Sequence, residues 1–267
     1  MRRQKKMIVA GMLTSALLLA GCASSATPAA PTTSSTSAAS TSTAVSDTSD
    51  AGIDIDWSTL PTTDVALTDA GLAITEAGTY VLTGTSTGQV TVDTDGYVRI
   101  ILDGVTIDSS GGAAIQVDNA EATVIKLADG TTNTVSDAST RSDEEIDGAI
   151  YSSDDLYVTG TGALAVTANF ADGIVGKDDL SILSGTIGVT SVDDGIRGKD
   201  SLTISGGTIT VDAAADALKS SNDTDLGAGQ LTISGGNITI TAGDDAVKAE
   251  QKVWISGGTL DITASVE

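Results

Sequence analysis

Aspartate is the residue whose spacing in this chain most suggests chemistry. Asp172, Asp194, Asp216 and Asp245 recur at steps of 22, 22 and 29 residues, and Asp193 and Asp244 precede two of them. Asp147 holds the same place one step earlier, within one residue. If each step is one turn of a repeating structure, these carboxylates stack about 5 Å apart and repel one another. Folding then needs a cation between them. Carboxylates, backbone carbonyls and small Gly-rich turns suit Ca²⁺, so Asp172, Asp193, Asp194, Asp216, Asp244 and Asp245 are the expected metal ligands. The competing expectation is lateral pairing with Arg197, Lys219 and Lys248, which stand three residues after Asp194, Asp216 and Asp245. A second acidic set, Asp154, Asp178, Asp179 and Asp200, falls at the next turn and is a weaker metal candidate.

A different chemistry is suggested by Tyr157, Ser181, Thr203, Thr232 and Trp254, which align in one outward column. Aromatic rings on an exposed β face can stack on pyranose rings, whose C–H bonds pack on a π face. Tyr157 and Trp254 are four steps apart, about 19 Å at the strand spacing, and the Ser and Thr between them offer hydroxyls. Against this, Trp254 could simply pack on a neighbour. A parallel column runs from Tyr151 and Val175 through Arg197, Lys219 and Lys248. Those bases could meet sugar carboxylates, though pairing with the aspartates competes.

Composition removes other chemistries. The chain of 267 residues has no histidine, which excludes His-based triads and His-liganded zinc. One cysteine excludes an internal disulfide framework. Acids number 36 against 13 bases, and four of the bases are Arg2, Arg3, Lys5 and Lys6. Without that end the balance is 9 bases to 36 acids, or −27, so nucleic acid is not an expected partner.

The elements that position these residues follow from the repeat. The leading apolar residue recurs at Leu156, Leu180, Leu202, Leu231 and Val253, and the one long step carries an insertion at Asp223 to Gly229. In Ser201 to Val211, SLTISGGTITV, apolar and polar residues alternate and the Gly206-Gly207 pair breaks the run. Alternation predicts half-buried strands, and the glycine pair a tight turn. A third short strand lies near Ile196. Three strands in about 22 residues have no core of their own, so they must stack as coils of a solenoid. The expected fold is all-β, a parallel β-helix spanning 78–267, right-handed by the general chirality of parallel crossovers. Residues 51–77 lack the repeat and are expected to cap its amino end. At the other end the last strand is expected to be covered by a cap, further coils or a partner.

The amino-terminal segment reads as an address. Met1 to Lys6 is basic and Met7 to Ala20 almost wholly apolar, as in a secretory signal peptide. Leu18-Leu19-Ala20-Gly21-Cys22 resembles the bacterial lipobox, which implies that 1–22 is a lipoprotein signal and Cys22 the lipidated residue. Residues 23–50, rich in Ala, Ser and Thr, cannot bury enough apolar surface to fold and serve as a spacer. The expected location is the extracellular face of a membrane, held there by the lipid.

At DDGIRGKDSLTISGGTITVDAAADALKSSND the chain resembles a bacterial family of extracellular carbohydrate-binding proteins with a polysaccharide-lyase-like right-handed parallel β-helix. The resemblance covers about Gly78 to Glu267. It implies binding of cellulose-like or polygalacturonate-like polysaccharides, bound calcium, and no established catalysis. The family's D-G-I turns match at Asp172 and Asp194, and as Asp-Ala at Asp216 and Asp245. The resulting expectation is a lipid-anchored polysaccharide binder for plant cell-wall type glycans, dependent on or stabilised by calcium. One alternative is a calcium-dependent polysaccharide lyase using Arg197 beside Asp193 and Asp194. The other is a structural adhesin with no specific sugar ligand.

Overall fold

The computed structural model describes residues 54–265. The lipobox with Cys22 and the spacer 23–50 lie outside the described residues.

The described chain is a parallel β-helix. Each coil runs through three strands, and every strand pairs in parallel with its equivalent one coil away. The first face stacks Leu156–Gly160, Asp179–Ile182, Ser201–Ile204, Gln230–Ile233 and Lys252–Ile255. The second stacks Ala163–Ala168, Thr186–Ser191, Thr208–Ala213, Asn237–Ala242 and Thr259–Ala264. The third stacks Gly148–Ser152, Asp172–Gly176, Ile196–Gly198, Leu218–Ser220 and Val247–Ala249. Register follows the alternation read from the sequence. Leu156, Leu180, Leu202 and Leu231 pair in one unbroken row inside, all fully buried. Their successor Val253 is 41 % exposed and Ile255 52 %, so apolar side chains of the last coil meet solvent.

The Ser-Gly-Gly corner between the first and second faces needs both glycines. Gly207 has φ +95°, a left-handed conformation that side chains disfavour. A Cβ on Gly206 would lie 2.5 Å from the carbonyl oxygen of Leu183 in the preceding coil. The insertion expected at Asp223 to Gly229 is a loop between the strands Leu218–Ser220 and Gln230–Ile233.

The amino-terminal coils are less regular. Tyr97–Asp108 is one continuous strand that turns the corner between the first and second faces. Its register slips at Gly104, where the Asn133 side chain accepts hydrogen bonds from the N–H groups of Gly104 and Val105. The region assigned to the cap, 51–77, contributes strands of its own. Thr62–Leu67 pairs in parallel with Gly78–Ser86, and Leu72–Ile74 with Val90–Asp93. It therefore extends the ladders by an incomplete coil, with Trp57 buried beneath the Arg99 guanidinium, 4.9 Å from the ring centre.

Candidate functional site

The aspartate column stands at the entry to the third face, and the structure sets bases among its members. Asp194 donates its backbone N–H to Asp172 Oδ1 (3.0 Å), Asp216 to Asp194 Oδ1 (3.1 Å) and Asp245 to Asp216 Oδ1 (3.1 Å). One oxygen of each carboxylate is thus spent on the next coil. The other meets a cation. Arg197 reaches Asp172 Oδ2 at 2.6 Å and also pairs with Asp147. Lys219 Nζ lies 2.9 Å from Asp194 and 2.8 Å from Asp216. Lys248 Nζ lies 3.1 Å from Asp216 and 3.3 Å from Asp245. Lys177, which the repeat did not single out, closes the other end at 3.4 Å from Asp147.

Of the two expectations for this column, lateral pairing is the one the geometry carries. Arg197 spans Asp147 and Asp172, and Lys219 spans Asp194 and Asp216. Arg197, Lys219 and Lys248 do form one row on the third face, as expected, but they turn to the aspartates. Tyr151, expected to head that row on the outside, is 6 % exposed and lies under the Lys177 ammonium, 5.5 Å from its ring centre.

Protonation follows the supply of cations. Burial works to raise Asp216, but hydrogen bonds from Lys219 and Lys248 outweigh it and hold its carboxyl below the usual range. Burial also raises Asp172, and here the single shared guanidinium of Arg197 offsets it only in part, leaving it up at about 6. Burial acts to lower Lys219 and Arg197, but their carboxylate partners prevail and raise both, so each stays charged.

A hard cation needs converging oxygens. Asp216, Asp244 and Asp245 bring one carboxylate oxygen each within 4.8 Å of one another, with Asp244 and Asp245 exposed. That donor set fits Ca²⁺, with Asp216 also accepting the Asp245 N–H and pairing with Lys219 and Lys248, so the ion would compete with those bases. Asp172 and Asp194 are likewise committed to N–H groups and bases. Asp193 lines an open cleft with Asp172, Asp194 and Arg197.

The aromatic column is on the first face, separate from the aspartates. Tyr157 pairs in register with Ser181, Ser181 with Thr203, Thr203 with Thr232, and Thr232 with Trp254. The row is unbroken, and only small hydroxyl side chains lie between the two rings. Trp254 is 54 % exposed, with the Lys252 ammonium 4.7 Å from its ring centre. Tyr157 is half-buried, and burial first, then the Asp155 and Asp179 carboxylates, raise its phenol. The face thus carries two aromatic rings flanking a strip of hydroxyls on a rigid sheet.

A parallel β-helix with a flat, hydroxyl-lined face of this kind belongs to the polysaccharide-lyase-like class of architectures. Residues 68–267 match the family described as carbohydrate-binding domain-containing protein, and the chain belongs to that family. A carbohydrate-binding domain-containing protein of Acetivibrio thermocellus is 33 % identical over 133 residues, 47 % of this chain and 46 % of the relative. The match thus spans about half of that relative's length. The solved structure of a polysaccharide lyase-like protein from C. thermocellum, a gadolinium derivative, is 31 % identical, with a TM-score of 0.68. The similarity covers 76 % of this chain and 96 % of that one. Carbohydrate is therefore the ligand class in the family's description.

Proposed function

We propose that the protein is a surface lipoprotein that binds plant cell-wall type polysaccharide along its first face, tethered through Cys22 and the 23–50 spacer. The observation that carries this is the unbroken row from Tyr157 to Trp254. A row of five rungs, four steps and about 19 Å long, matches an extended glycan lying along the solenoid axis, with rings stacking at its ends and hydroxyls meeting hydroxyls between. Binding to insoluble cellulose should weaken about fivefold for Trp254→Ala, the effect of about 1 kcal/mol for one stacked ring. Equal retention of the wild type and the Tyr157→Ala, Trp254→Ala double variant would remove this face from the reading.

Calcium enters at the end of the aspartate column, at Asp216, Asp244 and Asp245, where it would add charge compensation beyond Lys248. An acidic glycan such as polygalacturonate meets a strongly negative chain, so its binding should require calcium and disappear in EGTA.

Binding is favoured over elimination by the state of Arg197. A lyase on this scaffold needs a base to remove the proton next to a uronate carboxylate. Arg197 is held protonated by Asp147 and Asp172 and is largely covered. Release of ultraviolet-absorbing unsaturated sugars from polygalacturonate would reverse this choice.

A further inference from the structure

The second aromatic ring nearest Tyr157 is not Trp254. It is Tyr97, which opens the strand Tyr97–Asp108 two coils toward the amino end. Tyr97 pairs in register with Ala122, while Tyr157 pairs with Val124, two residues further along the same middle strand. Val98, Leu156 and Val158 are fully buried, so by alternation Tyr97 and Tyr157 both project from the outer surface of the first face. On the middle strand the outward positions are Val124, beside Tyr157, and Ala122, beside Tyr97; the small methyl of Ala122 leaves a notch next to the two rings.

The notch is a shallow cleft of about 220 Å³, lined by Tyr97, Tyr157, Ala122, Glu121, Asp155 and the leading segment at Asp54-Ile55. Tyr97 is 38 % exposed, so its ring is available as a wall. Two aromatic walls, a small floor and carboxylates at the rim form a consistent set. Ring C–H bonds stack on aromatic faces, and sugar hydroxyls donate to carboxylates in charge-assisted hydrogen bonds. Among the residues lining the cleft there is no base, and a uronate would meet Asp155 and Asp54 as like charges.

We infer that the Tyr97–Tyr157 cleft is a subsite that takes a short segment of a neutral glycan and rejects acidic sugars. The inference rests on the carbohydrate-binding reading but adds a position and a ligand class, and it divides the first face in two. The long row toward Trp254 holds polymer, whereas the cleft holds a short segment.

Cellotetraose and tetragalacturonate titrated calorimetrically into the full-length protein test it. The expected result is measurable cellotetraose binding that weakens at least fivefold in Tyr97→Ala. Ala122→Leu, which fills the floor while keeping both rings, should weaken it similarly. Circular dichroism matching the wild type would show that both variants fold. Tetragalacturonate should bind at least tenfold more weakly than cellotetraose in EGTA. Wild-type affinity for cellotetraose in both variants would overturn the inference, as would equal affinity for the two tetrasaccharides. So would a wild type that binds no cellotetraose. In each of those cases, retention on insoluble cellulose and its weakening in Trp254→Ala would still decide the polysaccharide reading separately.

Discussion

Two neighbouring corners of the solenoid carry aspartates in successive coils, and they neutralise them differently. At the entry to the third face, Arg197, Lys219 and Lys248 alternate with Asp172, Asp194, Asp216 and Asp245. At the corner leading into the first face, the carboxylates rely mainly on neutral donors. Asp155 accepts the backbone N–H of Asp179, Asp179 the hydroxyl of Ser201, and Asp200 the amide of Asn222. Asp155 is raised to about 6 by burial, against the Asp179 N–H, with Asp179, Asp178 and Asp154 adding to the rise. Asp178 is raised too, by burial and then by Asp200 and Asp154, with Lys199 offsetting only a little. A stacked carboxylate column thus persists in two ways, with bases between its members or with neutral donors and a readiness to take up protons that Asp172, in the first column, shares.

The sharpest way to break this comparison is to remove one cation. Lys219→Met leaves Asp194 and Asp216 buried without their shared ammonium and should cost about 3 kcal/mol in urea denaturation. Lys199→Met, at the other corner, should stay within about 0.5 kcal/mol. Equal effects would mean that the ladder's ion pairs are not what distinguishes the corners.

The next largest effect concerns pH. The folded Asp155 holds its proton to about pH 6, above the ordinary 3.8 of an aspartate, so the folded state binds the extra proton. Its cost is absent below the unfolded value, sets in between the two and is complete above about 6. Asp155→Asn should therefore stabilise the protein at pH 7.5 by roughly 1 kcal/mol, a figure discounted for partial exposure, and be nearly neutral at pH 3.5. Asp216 has the opposite sign. Its lowered carboxyl contributes stability that is full above its unfolded value and lost as pH falls through the folded one. Asp216→Asn should destabilise at pH 7.5 and progressively less in acid. Melting curves of both variants across this range would show the two signs; parallel curves would contradict them.

Calcium should produce the smallest change. With bases already in the ladder, adding calcium should raise stability by less than about 1 kcal/mol, by mass action at the exposed end alone. Asp244→Asn should abolish that gain and Asp193→Asn should not. A larger shift, or one lost with Asp193, would place the ion deeper in the column.

Much of the carboxyl-terminal half was legible in the sequence because its coils are nearly uniform. Leu180, Leu202 and Leu231 sit where the alternation placed them, and the row from Tyr157 to Trp254 is in the expected register. The third face was legible in position but not in orientation, since spacing puts Lys219 beside Asp216 without saying which way the side chain turns. Lys177 was missed because it follows its face's strand by one residue, outside the row of Arg197. Tyr97 was missed for another reason. The coil it opens has a long bent strand with a register slip and no Ser-Gly-Gly corner, so it could not be aligned to Tyr157 by period.

The Asp-to-Asp backbone bonds have a consequence for how the chain reaches its fold. Those between Asp172 and Asp194 and between Asp194 and Asp216 each close across 22 residues. Native contacts of such short span make each finished coil a template for the next, and structure can propagate along the axis instead of condensing at once. A defect in the middle should then behave like a stalled zipper. Gly195, where a Cβ would lie 2.3 Å from Val211 Cγ1 and 2.6 Å from the Ala217 carbonyl oxygen, is one such point. Bulk placed there should leave the earlier coils assembled and the later ones open, giving a protease-resistant amino-terminal fragment in place of a single all-or-none loss.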